Sequence, residues 1–206
     1  LTGTVAALIV AALAFAIVVA CCMPAKAEHG VDEPPVDELT STNWMAVMMQ
    51  AVIDNNPDVG YWAEQQRAEK IERLGLDYQL IAWDDLNQLA RLVWQEAGSD
   101  GISHEWRRDV AQVVVNRVNS SEFPNTLYDV IHQSGQYSGA SRLNSAQPAW
   151  DCVSAALDAL EGKGDLPNSV VFQANFRQGS GVYRQYYLAP YGTTYFCYSS
   201  WPELYG

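Results

Sequence analysis

The chain has 206 residues, 49% hydrophobic and 17% charged, which is enough apolar material for one globular domain with additional terminal segments. Its formal net charge of −12 argues against nucleic-acid binding and against attraction to an anionic membrane by charge. We therefore expect a folded monomer with no nucleic-acid partner.

An apolar segment opens the chain. Residues 5–23 carry no charged side chain, a length between that of a signal-peptide core and that of a membrane-spanning helix. The letters AKA at 25–27 are typical of a signal-peptidase site, whereas VVAC ending at Cys21 looks like the site at which bacterial lipoproteins are cut and lipidated. We expect residues 1–27 to be an apolar helix that serves as a cleaved signal peptide, a lipidated leader or an uncleaved membrane anchor. All three place the remainder outside the cytoplasm, either secreted or held at the outer face of the cytoplasmic membrane.

Two further segments precede the main domain. Residues 28–42 are acidic and contain two adjacent prolines, which is typical of a flexible linker. Residues 43–76 predict two helices, a helical preamble in which we expect Trp44 and Met48 to pack on the domain that follows. The sequence gives this preamble no function, and we expect the domain itself to span 77–206.

Within 77–206 the apolar spacing predicts four helices. The first begins at Asp84 or Asp85 as its cap and ends in a left-handed turn at Gly98. The second is capped by Ser103 and runs through Val118, and the other two cover 123–131 and 148–162. The polar, glycine-containing residues 132–147 predict a loop.

The pattern changes near the C-terminus. Residues 169–176 and 192–199 are rich in β-branched and aromatic side chains, which predicts strands. Helices followed by a small antiparallel sheet indicate an α+β domain.

Glu96 is the residue in the first of these helices that is best placed for chemistry. It projects to the flank of the apolar stripe formed by Leu86, Leu89 and Val93. Partial burial and the carbonyl end of the helix both disfavour a negative charge there, so both should raise the pKa of Glu96. A carboxyl group with a raised pKa suits a general acid working near neutral pH. The alternative is an ordinary surface glutamate.

The cysteines and histidines leave alternatives open. Cys152 and Cys197 either form a disulfide, which an extracytoplasmic location permits, or are two buried thiols. His29, His104 and His132 have no partner at metal-ligand spacing, so we expect neither a metal site nor a cofactor.

Several segments in consistent order resemble one family. They are EAGSDG, VAQVVVNRV, FPNTLYDVI, GQYS, PAW and VVFQANFRQGSGVY with YFCYS, spread over Leu86 to Ser199. This set is similar to the SleB-type cell wall hydrolases, which include spore-cortex-lytic enzymes and their vegetative relatives. The resemblance implies a compact lysozyme-like α+β domain that cuts the glycan strand of peptidoglycan.

The resemblance also implies a role for Glu96, which matches the catalytic glutamate of the family motif E-A-R-G-E. The chain departs from that motif after Glu96, where Gly98 replaces the arginine and the second glutamate is lost near Asp100. If a second carboxylate takes part, Asp100 or Glu105 would have to supply it.

Sugar binding needs amide and aromatic side chains, because amides donate to and accept from hydroxyl groups and aromatic faces stack on pyranose rings. Strand alternation places Gln173 and Asn175 on one face. The predicted glycan-binding residues are Gln136, Tyr137, Gln173, Asn175 and Tyr183.

One supported carboxylate favours a lytic transglycosylase, because that reaction needs only one acid/base between N-acetylmuramic acid and N-acetylglucosamine. The alternatives are a hydrolytic muramidase, an N-acetylmuramoyl-L-alanine amidase, and a peptidoglycan-binding module without catalysis. The membrane is a further partner if the N-terminal segment stays uncleaved or lipidated.

Overall fold

The structure is a computed structural model that describes residues 43–205. The predicted signal or anchor at 1–27 and the linker at 28–42 lie outside the described residues. No helix within 43–205 is long and apolar enough to cross a membrane.

Six α-helices precede three β-strands in this range, which confirms the α+β class. The helices are α1 Trp44–Ile53, α2 Pro57–Leu74, α3 Trp83–Ala97, α4 His104–Val118, α5 Leu127–His132 and α6 Trp150–Leu160. The strands are β1 Val170–Ala174, β2 Val182–Leu188 and β3 Gly192–Tyr198, and 3₁₀ helices cover Ala140–Ser145 and Pro202–Tyr205.

Helices α3, α4 and α6 pack against one another and form the centre of the core. Each contributes an apolar face, represented by Leu89 on α3, Val110 on α4 and Val153 on α6, all fully buried. Burial of such faces is the main favourable free energy in folding. The result is a rigid support for the C-terminal end of α3, where Glu96 lies.

The helical preamble is part of the same unit. Trp44 and Met48 are buried in the core cluster that also holds Leu86 and Leu89, as expected. Residues 44–206 form one compact unit, so the division at residue 77 does not separate two bodies. The buried guanidinium of Arg91 joins the parts further, because it binds Asn55 between α1 and α2 and the carbonyl of Ala146.

The sheet has the order β1-β3-β2 and is antiparallel throughout. Strand β2 was not predicted, whereas β1 and β3 lie where the sequence places them. Phe196 on the central strand pairs with Gln173 on β1 and with Arg184 on β2. Since Phe196 is fully buried, this row of side chains faces the helices, and β1 packs on α4.

Candidate active site

Both ends of α3 differ from the prediction. Asp84 and Asp85 lie in the first turn, but Ala82 is the N-cap residue and makes no side-chain cap bond. Gly98 is right-handed rather than left-handed, with φ −79° and ψ −8°. A glycine is needed there because a Cβ atom would collide with the carbonyl oxygen of Trp94. The left-handed position comes later, at Gly101, with φ +84°.

Arg107 on α4 fixes the segment that follows Glu96. Its buried guanidinium donates to the carbonyls of Ala97 at 3.1 Å, Ile102 at 2.8 Å and Ser99 at 3.3 Å. The bond to Ala97 satisfies a carbonyl group at the end of α3 that has no partner inside the helix, and the other two hold the segment between α3 and α4. The residue after Glu96 is thereby tied to the next helix.

Glu96 is exposed to solvent, whereas its helix position predicted partial burial. No side chain among the described residues forms a hydrogen bond or ion pair with its carboxylate. Desolvation by the surrounding protein raises the pKa of Glu96, in the predicted direction. The Glu96 carboxyl group is therefore accessible to a substrate, while the protein around it disfavours its charged form.

Tyr137 lies on a loop that packs against the C-terminal end of α3. The loop that carries Tyr137 approaches α3 so closely that the Gln95 side chain occupies the space of a Cβ atom at Gly139. Burial is the main cause that raises the pKa of Tyr137, with Arg117 opposing the change and the charge of Glu96 adding to it. The Tyr137 hydroxyl is buried and has no hydrogen-bond partner within residues 43–205.

Arg117 is a site residue that the sequence analysis missed. It is 3% exposed, and its guanidinium carbon lies 5.1 Å from the Phe123 ring centroid and 5.3 Å from that of Tyr137. Its Nε donates to the Val171 carbonyl at 2.6 Å. A signal existed: Arg117 follows Val110 by seven residues and Val113 by four, so it lies on the buried face of α4.

The other four predicted glycan-binding residues lie in different surroundings from one another. Gln173 faces the helices from β1, and its Oε1 is buried without a partner in the described part of the chain. Asn175 follows the last residue of β1 and is exposed, so the shared-face argument does not extend to it. Gln136 is exposed on the loop beside Tyr137. Tyr183 packs edge-on against Tyr198 and donates weakly to the Asp165 carbonyl at 3.4 Å.

The alternative carboxylates occupy different surroundings from Glu96. Asp100 is exposed in the turn after α3. Glu105 has a side chain 52% exposed and forms an ion pair with Arg184 at 3.1 Å. Asp109 is fully buried and accepts from Arg184 and from the Tyr186 hydroxyl, both at 2.9 Å. Burial raises the pKa of Asp109, and these two partners oppose the change.

The histidines serve local contacts. His104 lies 2.8 Å from Asp158, and His132 lies 2.9 Å from the Tyr128 carbonyl. Residues 43–205 contain no group of three metal-ligating side chains that could hold an ion. His29 lies outside the described residues.

The two domain cysteines are not bonded to each other. Cys152 on α6 and Cys197 on β3 are buried free thiols, so the structure has the second of the two alternatives and not the disulfide. The physical reason is placement: Cys152 packs within the helical core, and Cys197 lies on the central strand of the sheet.

Comparisons with known proteins show what the domain is similar to. Residues 103–197 match a family model described as cell wall hydrolase. The crystal structure of the catalytic domain of the Bacillus cereus SleB protein is similar, with 25% identity, a TM-score of 0.44, and coverage of 56% of this chain and 91% of that chain. No curated protein matches.

Residues 103–197 match the cell wall hydrolase family. This match supports an enzyme that acts on peptidoglycan. Glu96 lies just before the matched range, so its assignment depends on the geometry described above.

Proposed function

We propose that the domain cuts the glycan strand of peptidoglycan between N-acetylmuramic acid and N-acetylglucosamine as a lytic transglycosylase, with Glu96 as the single general acid and base. The observation that carries this proposal is the contrast among the carboxylates. Glu96 is accessible, unpaired and has a raised pKa, whereas Glu105 and Asp109 bind Arg184.

The reaction begins with proton transfer. Protonated Glu96 donates its proton to the glycosidic oxygen, and the bond from that oxygen to C1 of the muramoyl residue breaks as positive charge develops on the ring. The raised pKa favours the protonated form that this step requires.

The second step uses the same side chain. Ionised Glu96 takes the proton from the C6 hydroxyl of the muramoyl residue while that oxygen bonds to C1. The product is a 1,6-anhydromuramoyl end, and Glu96 is protonated again. No second carboxylate is needed, which agrees with the engagement of Glu105 by Arg184.

We also propose that the domain works outside the cytoplasmic membrane. The support is its substrate, since peptidoglycan lies there, together with the apolar sequence of residues 5–23.

The test is mass spectrometry of purified peptidoglycan digested by the enzyme. Anhydromuramoyl ends are the expected product. Reducing muramic acid ends would show hydrolysis and refute the transglycosylase step, and release of stem peptides from intact glycan would show an amidase. Binding without any product would identify a non-catalytic module.

A further inference from the structure

Arg117 has a hydrogen-bond donor without an acceptor in the described residues. Its Nε binds Val171, but its Nη1 is buried and has no partner among the described residues. Within the same range no carboxylate forms an ion pair with Arg117, although the chain carries a net charge of −12. A buried guanidinium without a counter-charge is costly, unless a ligand supplies the missing acceptor.

The Tyr137 hydroxyl also lacks a hydrogen-bond partner in the described part of the chain. It is buried, and the Tyr137 ring packs against Arg117 and the core. The charges of Arg117 and Glu96 both act on this hydroxyl, and the Arg117 guanidinium lies 5.3 Å from the Tyr137 ring centroid. Two neighbouring polar groups therefore lack partners within residues 43–205, and one of them is close enough to Glu96 to be affected by its charge.

The chemistry of these groups defines the ligand atom. A guanidinium only donates hydrogen bonds, and a tyrosine hydroxyl can donate one. The missing atom is therefore an acceptor oxygen. The muramoyl residue offers two such oxygens: the carbonyl of its acetamido group, and the carboxylate or amide carbonyl of its lactyl group.

We propose that Arg117 and Tyr137 together bind an acceptor oxygen of the muramoyl residue next to the bond that Glu96 cleaves. This inference rests on the proposed function. Tyr137 then contacts the substrate through its hydroxyl. Arg117 packs against the Tyr137 ring and supplies a second hydrogen-bond donor to the same oxygen.

Because the Tyr137 hydroxyl is buried, an acceptor can reach it only if the loop at 133–139 is displaced. Residues 134–136 and Ser138 of that loop are exposed, whereas Gln133 and Tyr137 are partly buried and Gly139 is buried. Gly135 in the same loop has φ +80°, a conformation that glycine adopts without strain. The loop is thus held mainly through Tyr137 and through the contact of Gly139 with Gln95.

The decisive variant is Tyr137→Phe, because it removes only the unpartnered hydroxyl. A hydroxyl with no role would leave kcat/KM unchanged and raise Tm when removed, since an unsatisfied buried group is lost. The proposal instead predicts that kcat/KM on peptidoglycan falls roughly tenfold or more while Tm stays the same or rises. The matched control is Tyr191→Phe, at a tyrosine that is 67% exposed on the hairpin, where neither quantity should change.

Arg117→Lys tests the second donor. It keeps the charge but loses the planar fork of donors, so kcat/KM should fall while Arg142→Lys, at an exposed arginine, leaves it unchanged. If Arg117→Lys does not fold, Tyr137→Phe decides the matter alone.

Binding measurements separate the two oxygens and do not depend on cleavage. In a Glu96→Gln background, calorimetry would compare chitotetraose, which has only acetamido carbonyls, with soluble glycan strands freed of stem peptides, which also carry lactyl carboxylates. Weaker binding of both ligands after Tyr137→Phe assigns the acetamido carbonyl, and weaker binding of the glycan strands alone assigns the lactyl oxygen.

Unchanged binding of both ligands together with unchanged kcat/KM in Tyr137→Phe would overturn the inference. A wild-type enzyme that binds the glycan strands without cutting them would refute the proposed function instead. The binding comparison would still decide whether Arg117 and Tyr137 hold the ligand.

Discussion

Arg107 on α4 donates a hydrogen bond of 3.1 Å to the carbonyl of Ala97, the residue that directly follows Glu96. Two further bonds from the same guanidinium hold Ser99 and Ile102. One side chain thus connects the end of α3 to the helix that begins the family-matched region. The position of Glu96 therefore depends on a residue eleven positions later in the chain.

Arg107→Gln should destabilise the protein by about 2–4 kcal/mol, because three carbonyls lose charge-assisted hydrogen bonds, two of which are buried. Urea denaturation measures this loss. The matched control is Arg108→Gln, whose side chain is 21% exposed and pairs with Asp165 at 3.1 Å, and which should cost under about 1 kcal/mol. Equal effects of the two variants would contradict the assigned role of Arg107.

Met48→Ala tests the place of the helical preamble. Met48 is fully buried in the shared core, so truncation should cost about 2–5 kcal/mol in the free energy of unfolding. Met45 on the same helix is only partly buried, and Met45→Ala should cost clearly less. If the two losses were equally small, α1 would not be part of the folded unit.

The pH dependence of stability follows from the raised pKa of Glu96. Between its unfolded and its folded pKa, the native state holds more protons than the unfolded state, so stability falls as pH rises through that window. Glu96→Gln removes the ionisable group and with it this loss of stability at higher pH. The variant should match the wild type in urea denaturation below the unfolded pKa and exceed it at neutral pH. A less stable variant at neutral pH would mean that the Glu96 carboxylate has a stabilising partner.

The thiols of Cys152 and Cys197 give another prediction. Both are buried and free, and burial raises the pKa of Cys152, so they should react slowly with a thiol reagent in the native state and fast after unfolding. Peptide mapping without reduction should recover both as separate peptides. A joined peptide containing both cysteines would show that the protein forms the disulfide.

Local signals in the sequence identified the helices well. Ser103 caps α4 as expected and accepts from the backbone of Trp106 at 3.2 Å, because a serine before an apolar-periodic run has a specific local use. Gly98 was misjudged, since its need for glycine comes from a close carbonyl and not from its backbone angle. That carbonyl belongs to Trp94 in α3 itself, so the close approach comes from the geometry of the helix end, which the sequence pattern does not reveal.

Features that depend on tertiary contacts could not be predicted in the same way. Strand β2 contains Arg184 and Gln185, and its register shifts between Val182 and Arg184, which obscures the alternation expected of a strand. Arg117 meets Phe123, Tyr137 and Val171, which come from three separate segments. Glu96 could be proposed from the sequence because both its helix position and the family resemblance point to it.

The most direct test of the central claim compares the wild type with Glu96→Gln on purified peptidoglycan, following the loss of turbidity. Asp100→Asn and Glu105→Gln are the controls, since Asp100 is exposed and Glu105 pairs with Arg184. We predict that Glu96→Gln abolishes clearing while it remains folded, and that both controls keep their activity. Clearing by Glu96→Gln at the wild-type rate would contradict the account.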